Sequence, residues 1–170
     1  MYIKYNLLLL FLTLSMNALS NISNNPSNWY VVTDQVMGGK SELQVSVDGG
    51  VFSLNGYVTT ENNGGFVRLA HSPENVDKEV QGIRFMAKGN NETYEVHVTM
   101  QGLRMPPWAY HSSTFDVNAE WKMFEINFSD FEKKSGVSAK LRPNNIRDIS
   151  FAGYGRDFDV DLQVKEISFY

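Results

Sequence analysis

Alternation of apolar and polar residues with a period of two dominates the chain and restricts its fold more than any other feature. Residues 42–48 read Glu-Leu-Gln-Val-Ser-Val-Asp, and residues 51–54 resume the pattern after two glycines. Successive side chains of a β-strand point to opposite faces, so this pattern predicts strands that bury one face. Asp48-Gly49-Gly50, whose glycines accept a positive φ, predicts a tight hairpin between these strands.

Later segments continue the alternation. We expect residues 83–87 to pair with residues 94–100 as a second hairpin through Lys88-Gly89-Asn90-Asn91, because glycine and asparagine adopt left-handed dihedrals. A change of parity near Lys165 predicts a bulge in the last strand. Helical periodicity is nearly absent. About ten short strands with Gly, Asn and Pro turns predict an all-β fold, an antiparallel jelly-roll β-sandwich.

The first twenty residues have the composition of an export signal. Lys4 supplies a positive charge, residues 7–14 form a nearly unbroken apolar run, and Ala18-Leu19-Ser20 offers small residues for a signal peptidase. The run is shorter than the roughly 20 residues that cross a bilayer, which makes an uncleaved anchor the alternative. The sequence therefore predicts a cleavable signal peptide over residues 1–20, a periplasmic or secreted location, and no stable membrane insertion after removal of the signal.

One domain is expected after this signal. Residues 21–28 are polar and rich in Asn and Ser, which is typical of a flexible linker, so the β-sandwich is predicted over residues 29–170. The chain has no cysteine, which excludes disulfides and Cys-ligated zinc. The net charge of −4, without any basic stripe, argues against a nucleic-acid partner.

Two glycine-containing segments lie in the first half of the domain. Met37-Gly38-Gly39-Lys40-Ser41 ends like a phosphate-binding loop, but a strand pattern follows it where such a loop requires a helix. We expect a turn in which the side chains of Asp34 and Ser41 bind backbone amides. A similar turn is expected over residues 61–66. Arg68 follows it on an apolar parity, and we expect it to pair with a carboxylate, with ligand binding as the alternative.

Other polar residues are weaker candidates for chemistry. The histidines are His71, His97 and His111. Their spacing fits no metal motif, so exposed positions on a sheet face are expected; a catalytic pair of His97 and His111 would require neighbouring strands. Three aspartates alternate along one strand face: Asp157, Asp159 and Asp161. A solvated face is expected there, with a calcium site as the alternative; no other cofactor or metal is predicted.

The segment from Gln101 to Trp108 is the most suggestive binding loop, because its two prolines stiffen a backbone that carries large side chains. Arg104, Trp108 and Tyr110, with His97 and His111 on the adjacent sheet face, are the predicted binding residues. Burial of Trp108 in the core is the alternative. No nucleophile elbow, zincin helix or dinucleotide fingerprint occurs. The sequence thus predicts a non-catalytic module that binds a protein or a glycan; a carbohydrate-active hydrolase or lyase is the alternative.

Trp29, the two glycine segments and Arg68 together resemble the complex I intermediate-associated protein 30 family, whose members include assembly factors for NADH:ubiquinone oxidoreductase. The resemblance continues through Pro107-Trp108-Ala109-Tyr110 and Trp121 and spans essentially residues 29–170. The residues that carry the signature are Asp34, Gly38, Gly39, Ser41, Asn63, Gly64, Gly65, Phe66 and Arg68. The resemblance implies a galactose-binding-like β-sandwich, one rim of which the signature shapes. It also implies an assembly-factor or chaperone-like role, as in the mitochondrial members that assemble respiratory complex I.

Overall fold

The computed structural model describes residues 22–101 and 109–170, and within these ranges eleven strands form two antiparallel sheets. The strands are β1 (Trp29–Thr33), β2 (Glu42–Asp48), β3 (Val51–Val58), β4 (Phe66–His71), β5 (Gly82–Gly89), β6 (Thr93–Met100), β7 (Tyr110–Asp116), β8 (Lys122–Asn127), β9 (Glu132–Lys134), β10 (Ile146–Tyr154) and β11 (Phe158–Phe169). The six-stranded sheet has the order β1-β4-β10-β6-β7-β9, and the five-stranded sheet has the order β2-β3-β11-β5-β8. The predicted all-β sandwich is confirmed.

Short 3₁₀ helices occupy several of the connections. They are Pro26–Asn28, Asp34–Met37, Glu61–Asn63, Phe128–Asp130 and Pro143–Asn145. Among the residues that the structure describes, no helix has the length and apolar character needed to span a membrane.

The core lies between the inward faces of the two sheets. Phe85 of β5 packs edge-on against Phe151 of β10 at 4.9 Å and against Phe115 of β7 at 5.0 Å between ring centroids. Each of these rings is buried. Burial of a phenylalanine side chain contributes about 1.5–3 kcal/mol, so aromatic contacts across the interior hold the sheets together.

The first hairpin forms as predicted, and the second does not. Asp48 pairs with Val51 across Gly49 and Gly50, which have φ values of 53° and 80°. By contrast, β5 pairs with β11 and β8 in one sheet, whereas β6 pairs with β10 and β7 in the other. The turn residues over positions 88–91 reverse the chain, but they lead it across the core to the opposite sheet.

The predicted bulge in the last strand is confirmed. The register between β11 and β5 shifts between Lys165 and Ser168, and Glu166 has a φ of 52°. This extra residue turns Ile167 and Phe169 toward the core, where both are buried.

The first described residue of the segment predicted as a flexible linker, Ile22, packs into the sandwich, whereas residues 24–28 are exposed. Ile22 is only 1% exposed and belongs to the hydrophobic core. The indole Nε1 of Trp29 donates a hydrogen bond to the carbonyl of Ser23 at 2.7 Å. Ile22 is the one buried apolar residue of an otherwise polar segment. The predicted signal peptide lies outside the described residues.

Candidate functional site

A groove of about 450 Å³ lies on the outer face of the six-stranded sheet. Its central strand, β10, presents the small side chains of Ser150 and Ala152 to this face. In the neighbouring strands, Arg68 of β4 is in register with Ala152, and His97 of β6 is in register with Ser150. Arg68 and His97, which flank these small residues, both line the groove.

Three aromatic rings form one wall of the groove. His97 stacks on Tyr110 at 4.3 Å between ring centroids, with 26° between the planes. Tyr154 meets both rings edge-on, at 5.3 Å from His97 and 5.9 Å from Tyr110. His97 and Tyr110 are buried, whereas Tyr154 is 39% exposed. Tyr154 therefore presents an aromatic surface to the solvent from a rigid base.

The polar groups behind this wall are fixed in defined protonation states. His97 Nε2 lies 2.6 Å from Glu95 Oε2. Burial lowers the pKa of His97 and outweighs the opposing effect of Glu95. Burial raises the pKa of Glu95, but the hydrogen bond with His97, the charge of Lys134 and a hydrogen bond with Ser112 leave the Glu95 pKa lowered. At neutral pH, a neutral His97 thus donates from Nε2 to an ionised Glu95.

The hydroxyl of Tyr110 is also held protonated. Burial raises the pKa of Tyr110, and a hydrogen bond with Tyr154 raises it further. None of the three groups Glu95, His97 and Tyr110 is tuned toward proton transfer at neutral pH, because the pKa of each moves away from neutrality.

Arg68 lines the groove without the carboxylate partner that the sequence predicts. Within the described ranges, no carboxylate oxygen lies within 4 Å of its guanidinium group, and its buried Nε has no hydrogen-bond partner. The guanidinium group lies over the ring of Phe66, 5.0 Å from the centroid. Burial lowers the pKa of Arg68, opposed by the charge of Asp148. The sequence pattern predicted a structural ion pair for Arg68, but its side chain lines the groove instead.

The glycine segments form the opposite wall, and Asp34 holds them together. The buried carboxylate of Asp34 accepts hydrogen bonds from the Ser41 amide at 2.9 Å and the Ser41 hydroxyl at 2.5 Å. It also accepts from the amides of Gly65 at 2.6 Å and Phe66 at 3.2 Å. Burial raises the pKa of Asp34, but these bonds outweigh it and leave the pKa lowered. The Asp34 side chain thus joins the two signature segments at the rim of the groove.

Gly64 is required by this close approach. A Cβ atom at Gly64 would lie 2.4 Å from Oδ2 of Asp34, and one at Gly39 would lie 2.3 Å from its Oδ1. Gly64, Gly65 and Asn63 line the groove directly.

Two exposed apolar side chains lie at the same rim. The 3₁₀ helix that follows β1 exposes 76% of Val36 and 63% of Met37, and both line the groove. The left-handed Gly38, with a φ of 88°, ends this helix.

The structure brings together only some of the predicted binding residues. His97 and Tyr110 are in contact, but His111 pairs with Val98 and therefore faces the interior of the sandwich. There His111 Nε2 lies 3.1 Å from the carbonyl of Ala139. Arg104 and Trp108 lie outside the described residues.

The sequence predicts exposed sheet-face positions for the three histidines, but all three are buried. His97 and His111 are each 2% exposed, and His71 is 5% exposed beneath a stacked Trp29. Alternation assigns a side chain to a face, but neighbouring rings decide whether that face is covered. β6 and β7 are neighbours, yet His97 and His111 point to opposite faces, so they form no catalytic pair.

Asp157, Asp159 and Asp161 do not form a cluster of carboxylates. Asp157 accepts hydrogen bonds from the amide and hydroxyl of Thr60 at 2.7 and 2.8 Å, and Asp159 and Asp161 are exposed. In the part of the chain that the structure describes, no three acidic or histidine side chains come together as metal ligands.

Sequence reasoning did not identify Glu95, Tyr154, Val36 or Met37 as site residues. The outward parity of Glu95 beside His97 was a usable signal. Tyr154 lies between Gly153 and Gly155, where an aromatic side chain among glycines is typical of an exposed rim.

Several carbohydrate-binding modules share this fold. A family 11 module from Clostridium thermocellum, in complex with a β-1,3-1,4-mixed-linked tetrasaccharide, is 17% identical, with a TM-score of 0.70; the match covers 88% of this chain and 94% of the module. The family 11 module of the cellulosomal cellulase Lic26A-Cel5E from the same organism is 19% identical, with a TM-score of 0.69 and coverages of 84% and 86%. A family 30 module is 14% identical, with a TM-score of 0.61 and coverages of 83% and 91%. These matches confirm the predicted galactose-binding-like sandwich.

No curated protein matches the chain. The model of the family described as Complex I intermediate-associated protein 30 (CIA30) matches residues 19–164, which is most of the chain. The predicted resemblance is confirmed, and the chain belongs to the CIA30 family.

Proposed function

We propose that this chain is an exported, non-catalytic module that binds a glycan in the groove of its six-stranded sheet. The observation that carries the proposal is the combination of a half-exposed aromatic ring, Tyr154, with unengaged polar groups in one groove. Sugars are recognised by this combination, because the C–H face of a pyranose packs on an aromatic ring while its hydroxyls require hydrogen-bond partners.

The dimensions of the groove support a small saccharide segment. Its volume of about 450 Å³ falls in the range typical of small-molecule sites. Thr60, Asn63 and Ser135 line it beside the aromatic wall and offer hydroxyl and amide groups. The modules of similar fold described above are named for carbohydrate binding, and one of them holds a tetrasaccharide.

The electrostatics of the groove favour binding without cleavage. Cleavage of a glycosidic bond by carboxylates requires one of them to be protonated, yet the pKa of Glu95 is lowered. A tyrosine base would require a lowered pKa, and that of Tyr110 is raised. If the chain is instead a hydrolase or lyase, incubation with a polysaccharide panel will release new reducing ends or unsaturated products. We expect neither.

Export is proposed from the leader-like first twenty residues. Expression with the full leader should place the protein in the periplasm or medium, with an N-terminus near Asn21 by mass spectrometry. An intact leader on membrane-bound protein would contradict cleavage.

Tyr154→Ala tests the proposed site. We expect at least about tenfold weaker binding to the best oligosaccharide of a panel, because truncated aromatic anchors typically cost more than 1 kcal/mol. Isothermal titration calorimetry measures the change. Tyr57→Ala is the matched control, because Tyr57 is 38% exposed, compared with 39% for Tyr154, but belongs to the five-stranded sheet. Equal affinities of both variants would place the glycan elsewhere.

A protein partner is the second candidate, and the exposed Val36 and Met37 favour it. Apolar side chains at the rim of a groove are typical of protein contacts. In that case a Val36→Ser/Met37→Ser variant should lose co-purification with an envelope complex while its melting temperature stays unchanged. Co-purification that survives this variant would argue against the rim as the contact.

A further inference from the structure

We propose that the groove selects saccharides that carry an acidic group, a carboxylate or a sulfate ester, and that Arg68 binds this group. The inference rests on the proposed function and narrows its substrate class. The guanidinium group of Arg68 can donate to the hydroxyls of a neutral glycan, but its hydrogen bonds to an ionised acceptor are roughly twice as strong.

Arg68 holds a positive charge at the surface of the groove. It extends from the middle of β4 on the outer face of the sheet, next to the small Ala152 of β10. Its guanidinium carbon lies 5.0 Å from the centroid of the Phe66 ring, and its buried Nε has no partner among the described residues. A desolvated charge with an unpaired donor is costly in a folded protein, so such a group is expected to meet an anion when the site is occupied.

The protein's own carboxylates do not supply this anion. Glu95, which lies across Ala152 from Arg68, is bound to His97 at 2.6 Å. Asp148 interacts with Arg68 only through its charge, because its oxygens accept from Thr99 at 2.8 Å and from Ser72 at 2.7 Å. Glu95 and Asp148 are therefore both engaged by donors other than Arg68.

Among the described residues of this face, the other cations pair with carboxylates or lie outside the groove. Lys134 donates to Glu132 at 2.6 Å, and Arg147 donates to Asp148 at 2.7 Å. Within the described residues, Arg68 is the only lysine or arginine that lines the groove. A single unpaired guanidinium fork suits one planar carboxylate or one sulfate group, which it binds through two parallel hydrogen bonds.

Matched tetrasaccharides test the selection. The probes are a tetramer of galacturonic acid, the same tetramer after reduction of its carboxylates to primary alcohols, and a sulfated galactose tetramer. Calorimetry with the full mature chain should show at least about tenfold tighter binding of an acidic tetramer than of the reduced one, because hydrogen bonds to a charged group are stronger than those between neutral groups. The tighter of the two acidic tetramers identifies the acidic group.

Variants of Arg68 separate its role from general effects. Arg68→Gln should abolish the preference for the acidic tetramer and leave affinity for the reduced tetramer within about twofold, whereas Arg68→Lys should keep part of the preference. Arg84→Gln is the control, because Arg84 is an arginine of the five-stranded sheet that pairs with Glu125. If Arg68→Gln fails to fold, the acidic and reduced tetramers on the unaltered protein decide alone.

Different results would contradict glycan binding in the groove and selection of acidic saccharides by Arg68. Tight binding of the reduced tetramer, equal to that of both acidic ones, would overturn the acidic selection and leave the glycan module standing. Absence of binding to every saccharide of the panel would overturn both.

Discussion

At the scale of single residues, Asp34 is the polar side chain that joins the two glycine segments at the rim of the groove. Its carboxylate accepts four hydrogen bonds from Ser41 and from Gly65 and Phe66, which lie 24 and 25 residues further along the chain, and it has no contact with solvent. Such a group is stabilising only while all its donors remain paired.

Asp34→Asn should therefore lower the free energy of unfolding by about 2–4 kcal/mol. The amide keeps one acceptor oxygen but places an NH₂ group against backbone donors. Urea unfolding followed by fluorescence measures the loss. Asp159→Asn provides the control, because Asp159 is exposed on β11. A midpoint for Asp34→Asn within the error of the control would mean that the carboxylate is not the clamp of the two segments.

Sequence reasoning identified the local half of this clamp, because Asp34 and Ser41 are seven residues apart and the glycines between them indicate a turn. It did not predict the bonds from the amides of Gly65 and Phe66 to Asp34, which join the second segment. The carboxylate partner predicted for Arg68 is not found among the described residues. Glu95 of β6 and Asp148 of β10 already bind His97 and Ser72, and these hydrogen bonds depend on a tertiary structure that the sequence does not show.

At the scale of elements, the link between β5 and β6 was predicted as a hairpin, but it crosses between the sheets. Gly89, Asn90 and Asn91 indicate a reversal, and a reversal serves a hairpin or a crossing equally well. Tyr94 decides between them. Its buried hydroxyl donates to Asn90 Oδ1 at 2.8 Å and accepts from the amide of Asp161 at 3.0 Å. It thereby ties the start of β6 to β11 in the other sheet.

Tyr94→Phe should destabilise the protein by about 0.5–1.5 kcal/mol, because the backbone amide of Asp161 and the side-chain oxygen of Asn90 lose a partly buried hydrogen-bond partner. Burial raises the pKa of Tyr94 to about 12, so the hydroxyl stays protonated over the whole experimental range. The measurement is thermal and urea unfolding at neutral pH, with Tyr57→Phe as the exposed control. An unchanged stability of Tyr94→Phe would show that the crossing does not depend on this hydroxyl.

At the scale of the whole molecule, the groove exists only because two sheets bring distant segments together. Its walls come from residues 36–37, 63–68, 97–99, 110 and 154. The alternation of the sequence predicts the sandwich, since every strand carries its own pattern. It does not predict the order β4-β10-β6-β7, which places Arg68 and the aromatic rings around small residues of β10.

The burial of two histidines makes the stability of the whole molecule depend on pH. Burial lowers the pKa of His97 and of His111 below the ordinary value of 6.5, so the unfolded chain binds protons more readily than the folded one. Their contribution to stability is fully present above about pH 6.5 and is lost as the pH falls toward the folded pKa values. The carboxylates with lowered pKa values, Asp34, Glu95 and Asp148, act in a separate window, below about pH 4.5.

We therefore expect the free energy of unfolding to be constant between pH 7 and 8 and to fall between pH 6.5 and 5. The slope should reach at most about 1.4 kcal/mol per pH unit for each histidine. Urea unfolding at half-unit steps measures it. His97→Gln should reduce the slope, and calorimetric unfolding at pH 6 in buffers of different ionisation enthalpy should detect proton uptake. A stability that does not change between pH 7.5 and 5 would mean that both rings accept a proton without leaving the fold, and that His97 is not held neutral beside Glu95.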